Sequence, residues 1–311
     1  MRTVLLGPQR FLTTAGTVVR SVAPDGPVAT VTAGWQDRES ADDELHEVME
    51  GRSRNLHLYG RLTDVITTDE HFAGHALAQR DAMDELAGIY SLRLQHALES
   101  VYAVARRPTR PDLVDGAFTD AIRGVRDIDD WYLRTVDQLY GELETLAPPE
   151  QSESISRHRG EVAELLRDAA VLAVAGGHVG ILLRSLRLFA VDAAHLPVVA
   201  WSAGAMAMTD RVVLYHDRGP QGVQGAELWD RGAGRVRDVV AMPHARRRLS
   251  LDDPVLVRVL VRRFAPAACL LLDDGTTVEI GEDGSVPEDA RVLTEIGAQG
   301  GAQMSVQVSA P

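Results

Sequence analysis

Hydrophobic and polar positions fall into three regimes along the chain. Early on, short apolar runs bounded by turn residues, at Thr3 to Gly7, Val28 to Ala33 and Leu56 to Leu62, predict strands; the acidic stretch from Ser40 to Glu50 predicts a helix crossing over a parallel sheet. From about Thr68 to Asp168 the period becomes helical. One helix is expected from Asp69 to Arg106. A second follows Arg107-Pro-Thr-Arg-Pro111, with Leu113, Ala117, Ala121, Val125, Ile128, Trp131, Val136, Leu139 and Leu143 on its apolar side, and Pro148-Pro149 ends it. A third runs from Glu150 to Asp168.

The third regime alternates again. Ala169 to Gly177 reads as a buried strand ending in a glycine pair, Val179 to Phe189 as a helix, and Pro197 to Trp201 as a strand that stops at Ser202. That order puts Gly176-Gly177 and Ser202 at the carboxyl ends of parallel strands, where open α/β sheets keep their sites. Asp253-Pro254 starts a further helix to about Phe264. Leu270 to Leu272, Asp274-Gly275 and Thr276 to Ile280 give a hairpin signal. The expected organisation is an α/β core from 1–67 and 161–297, a helical insertion over 68–160 and a flexible tail over 298–311.

Composition narrows the function classes. With 311 residues, 45% of them hydrophobic, the chain can bury a large core. All 32 basic residues are arginine, which excludes a Schiff-base lysine, a Ser-Lys dyad and a P-loop lysine. The formal charge of −13 argues against nucleic acid as a partner. The single cysteine, Cys269, excludes an internal disulfide and a cysteine zinc cluster. No apolar run is long enough for a membrane span, and the amino terminus lacks a signal-peptide pattern, so no membrane partner and a cytoplasmic location are expected.

Ser202 is the leading candidate for chemistry. Ala203, Gly204 and Ala205 are small enough for a tight strand-to-helix turn, and the helix amino terminus favours a developing negative charge. A serine hydroxyl needs a base to take its proton. His244 ends the strand-like run Val239 to Pro243, where a proline-constrained turn would hold an imidazole rigidly.

Gly176-Gly177-His178 followed by Leu182-Leu183, Trp201-Ser-Ala-Gly-Ala205 and Met242-Pro-His244 together resemble the dipeptidase E and cyanophycinase family of serine peptidases, over about residues 165 to 285. The resemblance implies a three-layer, flavodoxin-like fold of the class I glutamine amidotransferase type, with a mostly parallel sheet. It implies Ser202 as nucleophile, His244 as general base, and the N–H groups of Gly177 and Ala203 as the oxyanion hole. Asp217 is the implied triad acid, with Glu227 and Asp210 as alternatives. No metal or organic cofactor is implied. Serine in place of the cysteine used by amidotransferases disfavours ammonia transfer from glutamine.

Two features depart from the family: His178 stands where Asn or Asp is usual, and the 68–160 block is longer than the fold requires. Gly176, His178 and Gln36, the last in the loop Trp35 to Glu39, are expected to line the cleft, with His178 alternatively facing the following helix. Arg246, in the run Arg246 to Arg248, is expected to receive a substrate carboxylate, which would favour acidic peptides. His71 and His75 have a metal-ligand spacing but lack a third ligand, so a polar helix start is the plainer reading. The expected function is hydrolysis of a peptide or amide bond. Its rival is a non-catalytic binding or scaffold protein whose helices mediate oligomerisation. A homodimer is expected from the aromatic positions Phe118, Trp131, Tyr132 and Tyr140.

Overall fold

The computed structural model describes residues 1–215 and 225–294; Asp217 and the expected tail lie outside them. Its centre is a six-stranded sheet in the order β10-β1-β5-β4-β2-β3. The strands are β1 (Thr3–Leu6), β2 (Val28–Val31), β3 (Ser53–Asn55), β4 (Val171–Val174), β5 (Val198–Trp201) and β10 (Thr277–Ile280). Only β10 runs antiparallel, pairing Thr3 with Ile280 through Leu6 with Thr277. Every residue of β1, β2, β4 and β5 is buried, as expected of parallel strands covered on both faces.

Alternation along β1 shows the two covers. Val4 and Leu6 pack with Val19 of α1 (Ala15–Val22) and Leu45 of α2 (Asp43–Val48). Leu5 faces the other way, into a core shared with α3 (Leu58–Thr68), α6 (Glu153–Asp168), α7 (Val179–Leu188) and α8 (Ala203–Met208). The chain is therefore a mixed α/β protein with a mostly parallel central sheet.

Leu56 to Leu62, expected to be a strand, instead enters α3. Its Leu58, Leu62 and Val65 are buried at helical spacing, and the Glu39 carboxylate accepts the first-turn N–H groups of Tyr59 (2.9 Å) and Gly60 (2.8 Å). The distant glutamate decides what the local pattern could not. The predicted hairpin is also divided. Its turn forms, with Thr276 N–H donating to Asp273 O, but β9 (Ala268–Leu272) pairs parallel with β8 (Val239–Pro243), whereas β10 takes the open edge of β1.

The long helices are α4 (Glu70–Ala105) and α5 (Pro111–Leu146), 36 residues each. They pack with α10 (Pro254–Phe264) over β6 (Val212–Tyr215), β7 (Ala226–Asp230), β8 and β9. At the centre, the fully buried Arg263 guanidinium forms two 2.7 Å bonds to Asp129 and a 3.0 Å bond to the Tyr90 hydroxyl, and it also bonds the Ala226 carbonyl. Tyr90 Oη in turn accepts Leu228 N–H at 3.0 Å. Cys269 is buried in the same core, and burial pushes its thiol up to about 12. No helix among the described residues is long and apolar enough to cross a membrane.

Candidate functional site

The carboxyl edge of the sheet gathers most of the residues singled out by the sequence. Ser202 follows β5 directly and precedes α8, with φ 54° and ψ −123°. A serine rarely adopts that conformation, and strain of this kind collects at functional sites. Gly176, after β4, lies against it: a Cβ there would come within 2.9 Å of Ser202 Cβ and 3.1 Å of Oγ. Gly177 has φ +120°, and a Cβ would meet the Gly34 carbonyl at 2.3 Å, so this turn admits only glycine. Among the described residues, neither Gly177 N–H nor Ala203 N–H donates to a backbone carbonyl.

His244 reaches the same rim by a different route. Ser202 N–H donates to Leu6 O (3.2 Å); the next residue, Gly7, abuts the Asp273 carbonyl; and Leu272 O, one position earlier, accepts His244 N–H (3.0 Å). His244 itself has φ 59° and opens the short helix α9 (Ala245–Arg248). It is half-buried, and burial, followed by Arg248 and Arg247, lowers its pKa; Asp274 and Asp273 oppose them. An imidazole so placed stays neutral at neutral pH, as a proton acceptor must. Among the described residues no hydrogen bond joins Ser202 Oγ to the His244 ring.

Other expected residues are placed less simply. His178 caps α7, its Nδ1 accepting Ile181 N–H at 3.2 Å, so one ring nitrogen is already engaged with its own helix. The ring stands beside Trp229 of β7, both at 3.2 Å from where a Cβ on Gly180 would be. Trp229 is 39% exposed and carried no signal in the sequence, because nothing local shows that β7 passes the first turn of α7. Gln36 is half-buried with φ 56° and ψ −126°, nearly the Ser202 conformation, beyond the carboxyl end of β2.

The charged groups rearrange the expectations about substrate. Arg246 lies 3.5 Å from Asp273, which Arg291 also pairs at 3.0 Å, and Arg247 lies 3.2 Å from Asp274; both Arg246 and Arg247 are exposed. Arg248 is half-buried and makes no side-chain hydrogen bond or ion pair with a described residue. Of the alternative acids, Glu227 accepts a hydrogen bond from Ser91 of α4 (2.8 Å), and Asp210 lies beyond the far end of α8 beside Arg211. Asp217 falls in 216–224, outside the described residues, after Tyr215, whose hydroxyl bonds the Pro243 carbonyl next to His244. His71 and His75 stack edge-on, and His71 Nε2 lies 3.1 Å from Leu146 O. No cluster of three or more metal-ligating side chains occurs among the described residues.

A cavity of about 480 Å³ opens at the opposite edge of the sheet, lined by Leu172, Leu186, Val198 and Met208.

No protein-family model matches the chain, and no curated protein matches it. Among solved structures it is similar to a crystal structure of a peptidase from an acI-B1 Actinobacterium, at 15% identity over 68% of this chain and 86% of that one, with a TM-score of 0.30.

Proposed function

We propose that the chain is a serine hydrolase cleaving a peptide or amide bond, of the dipeptidase E and cyanophycinase type and on the flavodoxin-like arrangement of that family. The observation that carries the reading is the elbow at Ser202. A serine at positive φ ends a buried parallel strand, beside the amides of Gly177 and Ala203, which donate to no backbone carbonyl among the described residues. In this reading Ser202 Oγ attacks the scissile carbonyl while His244 takes its proton and passes it to the leaving amine. Water then releases the acyl group with His244 again as base. Asp217 orients the imidazole. Arg248, half-buried on the rim, receives a carboxylate of an acidic substrate. The core is residues 1–67 and 161–297, with 68–160 as the helical insertion.

The lack of a bond between Ser202 and His244 favours the second reading, a non-catalytic protein on the same fold. In unliganded enzymes, however, such bonds are often long and tighten only with substrate. A fluorophosphonate probe separates the two readings. The hydrolase is expected to be labelled at Ser202, and Ser202→Ala to lose labelling and at least about 10³-fold of turnover with its melting temperature little changed. Labelling that survives Ser202→Ala, or none in the wild type, would reject the mechanism.

A further inference from the structure

Far from Ser202, the second half of α7 turns arginines toward the helical pair. A pocket of about 50 Å³ lies there, floored by Phe72, Leu143 and Leu188 and walled by Arg159, Arg184 and Arg187. That space holds a few waters or one small ligand group. Arg187 is already committed: its guanidinium lies 3.6 Å over the Tyr140 ring, and 3.5 Å separates it from Asp230. Arg159 donates to Leu188 O at 2.8 Å and pairs with the exposed Glu150 at 3.0 Å.

Arg184 differs. It is half-buried, one turn before Arg187, and has no hydrogen bond or ion pair with a described residue. Burial lowers its pKa, Tyr140 opposes the shift and Arg80 of α4 adds to it. This chain carries 45 acidic residues against 32 arginines, yet the acid that lines this pocket, Glu144 on its rim, makes no ion pair with Arg184. Such a charge is costly until a counterion arrives.

We propose that this pocket binds a small monocarboxylate on a short apolar stem, its carboxylate gripped by the Arg184 guanidinium and its stem lying on Phe72, Leu143 and Leu188. The guanidinium fork matches a carboxylate with two parallel hydrogen bonds. A monoanion suits one unpaired cation, whereas a phosphate dianion would leave charge uncompensated beside Glu144 on the rim. The site is independent of the hydrolase reading, because its residues lie away from Ser202 and His244.

Calorimetric titration of the full chain with sodium butyrate, at constant ionic strength, tests the assignment. Saturable binding is expected, weakened by about tenfold or more in Arg184→Gln. That variant should also melt at a higher temperature than the wild type without butyrate, since it lacks the uncompensated charge. Arg184→Lys keeps the charge but loses the fork, and must also bind more weakly, which provides a second reading if Arg184→Gln does not fold. Absence of saturable butyrate binding, equal affinity in the variants, or binding of inorganic phosphate in preference to butyrate would each overturn the proposal.

Discussion

Ser202, His244 and Gln36 share a backbone feature that their side chains alone do not reveal: each is a non-glycine residue held at positive φ, at φ 54°, 59° and 56°. The surrounding packing must over-determine such conformations for them to persist. Around His244 the same packing sets electrostatics. Burial and then Arg248 lower its pKa below the ordinary value of 6.5. Because only neutral imidazole accepts a proton, reactivity at Ser202 should fall as pH drops through that lowered pKa. Replacing Arg248 with Gln removes a nearby positive charge and lets the His244 pKa rise, so the acid limb should move to higher pH. The pH profile of labelling by a neutral fluorophosphonate measures this without involving substrate charge; an unshifted limb would separate Arg248 from His244.

At the scale of elements, the two long helices brace the strand that leads out of 216–224. Each helix is about 54 Å long at 1.5 Å per residue. Along β7 they supply Ser91 to Glu227, Tyr90 to Leu228 N–H, Tyr132 to the Trp229 carbonyl and Tyr140 to Asp230. The Arg263–Asp129 pair ties α10 and α5 into the same bundle. Removing one partner of a buried ion pair strands the other charge. Asp129→Ala should therefore destabilise the fold by about 3–5 kcal/mol, measurable by urea denaturation. A loss below about 1 kcal/mol would mean that Arg263 finds another acceptor.

The whole molecule changes the ground for self-association. Phe118 and Tyr132, expected to face a partner, are 1% and 4% exposed within the chain's own core; Tyr140 is tied to Asp230, and Trp131 is stacked under Arg93 at 4.3 Å. The exposed large apolar side chains of the helical pair are instead Leu77, Ile89, Leu92, Leu113 and Leu146, at 50–59% exposure. If a homodimer forms through these helices, Ile89→Arg with Leu92→Arg should convert it to a monomer. Light scattering at micromolar concentration reads the result, and a wild-type monomer would remove the helices from any role in assembly.

Local pattern alone determined the elements whose signals are self-contained. The helices of α4 and α5 follow from periodicity and from the prolines that bound them, and the strands before Gly176 and Ser202 from unbroken buried runs of Val, Leu and Ala. The small residues after Ser202 likewise announced a tight turn. Tertiary structure decided what depends on distant partners: Glu39 made Leu58–Thr68 a helix, the free edge of β1 drew β10 away from β9, and Asp273 and Asp274 came to lie beside Arg246 and Arg247. Burial, charge pairing and strand choice are properties of residues brought together across the chain. A linear pattern records the propensity of each segment, but it does not record which segment will lie beside it.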